Sequence, residues 1–194
     1  MKARVRAVLL ATATIALAGA VGATPISYSG SNNPGDGSWN RPIGGGPIIS
    51  TLGPVNYSVQ PFFTDESGFY TFDSTQDYDG YIHVYGVSFD PTDQLANLLA
   101  GNDDGPGSAG TSQIVDLALN ASTQYFLVTS AYEAGDVGTF TNTITDASQS
   151  ATIELGELRD MSIPAPATAM LLMLGLAGFA FRSARCELSP ERAA

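Results

Sequence analysis

Short runs of alternating or aromatic residues, each closed by turn formers, set the strongest limit on what this chain can fold into. "GFYTF" (Gly68–Phe72) mixes aromatic and β-branched residues. In "GYIHVYGV", Tyr81, His83 and Tyr85 point one way and Ile82 and Val84 the other. "SQIVDLAL" places Val115, Leu117 and Leu119 on one face, "QYFLVTS" is nearly all apolar, and "GTFTNTI" sets Phe140 and Ile144 beside Asn142. Runs of this length, bounded by Gly, Asp, Asn or Pro, predict an all-β sandwich or barrel. "NAST" (Asn120–Thr123) is expected to close a hairpin between two runs. In "DPTDQLANLLAGNDDG", Leu95, Leu98 and Leu99 fit one helical turn across an edge or open end. Residues 56–146 are therefore the expected sandwich domain, and 147–162 a final edge strand and linker.

The remaining segments read differently. Residues 24–55 are rich in Gly, Pro, Asn and Ser without a sustained period, the pattern of a flexible lead-in. Within it, Trp39 beside Arg41 forms a sticky patch, docks on the domain or stays loose. Residues 1–23 have a basic start (Lys2, Arg4, Arg6), an uncharged stretch from Ala7 to Ala18 and small residues up to Ala23. That is the layout of a signal helix removed by signal peptidase after Ala23. Near the other end, "IPAPATAMLLMLGLAGFAFRSAR" (163–185) holds a charge-free stretch between two prolines and two arginines. Its length reaches the lower limit of a membrane-spanning helix. Arg182 and Arg185 then stay on the cytoplasmic side with the tail 186–194, which agrees with the export direction set by the first 23 residues.

Charge narrows the partners. Residues 24–161 carry seventeen acidic side chains against two basic ones, Arg41 and Arg159. Nucleic acid and anionic lipid need clustered Lys and Arg, so both are poor partners. The single cysteine, Cys186, lies beyond the apolar stretch, so no disulfide staples the exported part.

The C-terminal segment resembles the PEP-CTERM sorting signal of Gram-negative bacteria. Pro164-Ala165-Pro166 stands for the Pro-Glu-Pro-type motif, 167–181 for the helix, and Arg182 and Arg185 for the basic end. Ala165 departs from the usual Glu, and the chain runs on after the arginines. The resemblance implies processing by an exosortase-type membrane protease and delivery to the cell surface or an extracellular polysaccharide matrix. Without cleavage the same helix is a permanent anchor. The middle of the chain is similar to bacterial pre-peptidase C-terminal domains, β-sandwiches of jelly-roll type. The blocks "SGFYTF", "FDPTDQLANLLAGNDDG", "LALNASTQYFLVTS" and "GTFTNTI" carry that likeness. It implies an accessory role in adhesion, solubility or matrix binding and no activity of its own.

Chemistry-bearing patterns are sparse. Asn102, Asp103 and Asp104 sit in one Gly-rich loop, and Asp77 and Asp79 in another acidic turn. Together they are candidate Ca2+ ligands, since calcium takes six to eight oxygens. Equally, Asp and Asn at such places cap their own backbone as Asx turns. His83 is the sole histidine, no G-x-S-x-G elbow accompanies it, and too few His or Cys are present for a zinc centre. The tyrosines, Tyr81 among them, serve core and edge packing or a platform for sugars. The expectation is a non-enzymatic exported surface or matrix protein. The alternative is a calcium-dependent carbohydrate-binding module.

Overall fold

The computed structural model describes residues 24–107 and 109–158. Ala23, Pro164, Ala165, Pro166, Arg182 and Arg185, and the two terminal helices expected from the sequence, lie outside the described residues.

Ten strands make up the described part, which contains no helix: β1 (Ile26–Ser31), β2 (Gly37–Trp39), β3 (Val55–Thr64), β4 (Gly68–Gln76), β5 (Gly80–Gly86), β6 (Leu98–Asn102), β7 (Thr111–Leu119), β8 (Tyr125–Ala131), β9 (Thr139–Asp146) and β10 (Ile153–Leu155). All pairings are antiparallel. They form a four-stranded sheet in the order β1-β9-β4-β7 and a larger sheet in the order β10-β3-β8-β5-β6, with β2 also on β3. The all-β, two-sheet expectation holds.

The main core lies where the inner faces of the two sheets meet. Tyr70, Phe72, Ile114, Leu119 and Ile144 from the smaller sheet pack on Phe62, Ile82, Val84, Tyr125 and Leu127 from the larger. Each such side chain contributes roughly 1.5–3 kcal/mol when taken fully out of water. Alternation supplies these positions, because successive side chains point to opposite faces of a strand.

β5 departs from simple alternation in an informative way: all seven of its residues are buried. Ile82 and Val84 face the inter-sheet core. Tyr81, His83 and Tyr85 point to the outer face of the larger sheet, so something covers that face too. The cover is the segment read as a flexible lead-in. Residues 24–55 contain β1 and β2. After β2 a small hairpin follows, in which Pro42 bridges Ile49, Ile43 N–H donates to Ile48 O, and Ser50 N–H donates to Arg41 O. Trp39 and Val55 join Tyr57, Tyr78, Tyr85, Val128 and Ala131 in a second cluster. The Gly and Pro content reflects tight turns in a structured segment: Gly44, Gly46 and Gly53 all have positive φ, at 56°, 82° and 90°.

Three local expectations are also corrected. The connection at 120–124 is no hairpin. β7 belongs to the smaller sheet and β8 to the larger, so the loop crosses between sheets. Leu98 and Leu99 lie on edge strand β6 rather than in a helical turn; only 91–97 forms turns, and Leu95 belongs to them. In β7, Tyr70 pairs with Leu117 but Phe72 with Ile114, so one extra residue is accommodated as a bulge, with Asp116 at φ 55°. Ile114 thereby takes the inward place and Val115 is turned out, 56% exposed. The sandwich thus reaches from β1 to β10, beyond both limits read from the sequence, and β10 is the expected closing edge strand.

Candidate functional site

The acidic residues singled out in the sequence gather near one end of the larger sheet, where β5 begins and β6 and β8 end. Their carboxylates are used unequally. Asp77 accepts from Thr139 N–H at 2.7 Å and from Thr139 Oγ1 at 3.0 Å, so both its oxygens pin the start of β9. Asn102 turns inward: its Nδ2 donates to Asp104 O and Gln113 O, each at 2.8 Å. Its Oδ1 accepts from Asp103 N–H, and Asp103 Oδ1 from Asp104 N–H, both at 3.1 Å. In each case the side chain satisfies neighbouring backbone, but the accepting oxygens take the next residue's N–H rather than the one two residues on that an Asx turn requires. Asp79 differs, because its carboxyl is raised above the usual range. Burial contributes most, followed by the charges of Asp136, Asp103, Asp104 and Glu133. Asp79 therefore feels the neighbouring charges, while Asp77, Asn102 and Asp103 each place an oxygen on a backbone N–H. Among the described residues no group of three His, Cys, Asp or Glu side chains is placed to hold a metal ion.

Beside this acidic end stands an arrangement that was not read from the sequence. Four side chains form a column, His83–Tyr81–Arg41–Tyr132. The His83 and Tyr81 rings stack at 4.6 Å with planes 11° apart. The Arg41 guanidinium lies 4.1 Å from the Tyr81 ring centre and 4.7 Å from that of Tyr132. Strand register builds the column. Tyr81 and His83 are same-face neighbours on β5, Ser130 lies opposite Tyr81, and Tyr132 follows just beyond. Arg41 is brought in by the hairpin.

Arg41 is only 2% exposed, and its fork is satisfied by carbonyls. Nε and Nη2 donate to Tyr132 O at 3.0 and 2.7 Å, and Nη1 donates to Pro42 O at 3.3 Å. Burial lowers its proton affinity, while Tyr81, Asp103, Tyr132 and Asp79 work in the opposite direction. A guanidinium keeps its charge in this setting. The acidic end thus supplies the long-range counter-charge for a buried cation.

His83 is fully buried. Its Nε2 is 3.1 Å from Pro42 O, and a carbonyl only accepts, so Nε2 carries the proton. Nδ1 is then a bare acceptor, buried without a partner. Trp39 packs edge-on to the ring at 5.3 Å. Burial, with the nearby charge of Arg41 adding to it and the Pro42 bond opposing, pulls the imidazole down to about 3, so it is neutral at ordinary pH. This is the strand-face histidine expected from the sequence, here roofed over.

The column also decides what Tyr81 can do. It is 3% exposed, and its hydroxyl accepts from Gly44 N–H at 2.6 Å. A ring stacked on both His83 and Arg41 offers no open platform to a sugar. A cleft of about 130 Å³ remains beside it, lined by Arg41, Ile43, Leu52, Asp103 and Tyr132 among others. A sole basic residue next to a sole tryptophan in a Gly/Pro-rich stretch was the sequence signal for this arrangement.

No protein-family model matches this chain, and no curated protein matches it either.

Proposed function

We propose that this chain is an exported, non-enzymatic component of the cell surface or of an extracellular polysaccharide matrix. Signal peptidase removes residues 1–23. An exosortase-type protease then reads Pro164-Ala165-Pro166, the apolar stretch and Arg182 with Arg185, and releases the sandwich. In this reading the sandwich is the accessory module of jelly-roll, pre-peptidase C-terminal type.

One observation supports the reading most directly. The ordered strands fill the interval between the two sequence signals: β1 starts at Ile26, just after Ala23, and β10 ends at Leu155, short of Pro164. Both proposed cuts spare every strand among the described residues. Asp77, Asn102 and Asp146 serve backbone capping and the lone histidine packs, which suits a structural role.

The intact mass of the protein in membrane and secreted fractions tests this. A secreted species beginning at Thr24 and ending near Pro164 is expected. A full-length species confined to the membrane fraction would replace the sorting signal with a permanent anchor.

A further inference from the structure

We propose that the hairpin of residues 41–50 is an acid-released cover: it lies latched on the outer face of β5 while His83 is neutral, and it lifts when His83 is protonated, before the sandwich itself unfolds.

The hairpin is built to move as a unit. Its own bonds, Ile43 N–H to Ile48 O and Ser50 N–H to Arg41 O, are internal. Its polar ties to the sheet and to the β8 end all land on the column. Arg41 donates to Tyr132 O, Gly44 N–H donates to Tyr81 Oη, and His83 Nε2 donates to Pro42 O. Ile43 and Ile48 on the hairpin are 48% and 63% exposed, so part of its apolar surface is not buried against the sheet. The cleft between Arg41, Leu52, Asp103 and Tyr132 shows a seam that is incompletely filled. The main core lies on the opposite side of the larger sheet and does not include the hairpin. Segments held by few contacts open at lower free energy than the global unfolding reaction.

The trigger is geometric. Nε2 already spends its proton on Pro42 O, so a second proton must go to Nδ1. That atom is buried and has no acceptor in reach. A new donor there is unsatisfied and carries positive charge. No compensating anion touches the ring. From the hairpin the facing charged group is Arg41, a cation, beyond the Tyr81 ring. From β5 itself the titratable neighbours are Tyr81 and Tyr85, both buried. β6 presents Gly101 and β8 presents Val128 opposite the ring, neither of which titrates. Trp39 contributes an edge. Asp103 and Asp79 act on Arg41 at the far end of the column.

The direction follows from linkage. With the cover lifted, the imidazole meets water and titrates near 6.5. Closed, it titrates at about 3. The closed state is therefore fully favoured above about pH 6.5 and loses up to tenfold in population ratio for each pH unit below it, until about pH 3.

Trp39 is the only tryptophan and sits against His83, so it reports the event. The full chain, purified in detergent, is titrated from pH 7 to 2.5 while Trp39 emission and far-ultraviolet dichroism are followed. Trp39 emission is expected to change at least one pH unit above the loss of β dichroism. His83→Gln keeps a donor toward Pro42 O without titrating, and it is expected to abolish the early step. Coincident transitions in the unmodified protein, or an early step that survives His83→Gln, overturn the proposal. Should that variant not fold, amide exchange of the unmodified protein decides. Protection at Gly44 N–H lost at higher pH than at β5 amides supports the cover; simultaneous loss refutes it.

Discussion

The guanidinium of Arg41 lies between the rings of Tyr81 and Tyr132 while donating to the backbone carbonyl of Tyr132. One side chain from the Gly/Pro-rich segment thus ties that segment to β5 and to the end of β8. The charge is buried with carbonyl partners, so removing it strands Tyr132 O, while Pro42 O keeps the His83 Nε2 donor.

Arg41→Met should therefore destabilise the protein by roughly 2–4 kcal/mol, the range for stranding one buried acceptor and losing a satisfied charge. Arg41→Lys should restore less than half of this, since an ammonium lacks the planar fork and stacks poorly. Urea denaturation midpoints of the three proteins give the comparison. Equal stability of the Lys variant and the parent would refute the stacking account.

Gly101 lies against both His83 and the backbone of the cover. A Cβ there would collide with His83 Cδ2 and stand 2.6 Å from Gly44 O. The neighbours are a buried ring and backbone, neither free to yield. Gly101→Ala should cost about 1–3 kcal/mol by overpacking, and amide exchange at Gly44 should quicken more than at the β4–β9 ladder. Uniform loss of protection would show that Gly101 acts on the whole fold.

Asp146 ends β9 and organises the next turn. It accepts from Ser148 Oγ at 2.6 Å and from Ser150 and Ala151 N–H at 2.9 Å each. Burial raises its carboxyl, but the bonds from Ser148, Ala151 and Ser150 together outweigh this and hold it at about 2. A carboxyl lowered on folding stabilises above its unfolded value near 3.9 and loses that contribution as pH falls through about 2. Asp146→Ala should lower stability at pH 7 by roughly 2–3 kcal/mol, with the gap to the parent narrowing as pH falls from about 4 to about 2. A gap independent of pH would assign the effect to packing alone.

The distribution of acids at the β5–β6 end leads to a further expectation. Asp77, Asn102 and Asp103 already use oxygens on backbone donors, which leaves calcium few ligands without breaking turns. Exchange of millimolar calcium for a chelator should leave the thermal midpoint within about 1 °C, because only a ligand bound to the native state raises it. A rise of several degrees with calcium would instead make Asp79, Asp103 and Asp104 ligands and favour the cation-dependent binding module.

Much of the sandwich was legible, and its limits have physical causes. β4, β5, β8 and β9 announce themselves because one or both faces are buried and their side chains record it. β1 does not. "ISYSGS" is an edge strand whose Ser27 and Ser29 pair with Thr143 and Thr141 through hydroxyls at 2.8 Å, so it needs little apolar content. The crossing at Asn120–Gln124 has the length of a hairpin loop, and spacing alone cannot say which sheet receives the next strand. Val115 was misplaced because a bulge resets alternation without a Gly or Pro to mark it. The cover escaped notice because its order comes from Arg41, Trp39 and distant β5 rather than from any local period. The acidic turns were found, and which of their oxygens were already engaged depended on side-chain rotation that sequence does not specify.

The pairing of β1 with β9 joins Ser27 to Thr143 across 116 positions, and among the described residues β9 is the only strand partner β1 has. The first strand of the domain must therefore wait for nearly the last before it can settle. Closing so long a loop is slow relative to local structure. In the proposed export from the N-terminus, β1 would emerge first and find its partner only once β9 had also crossed.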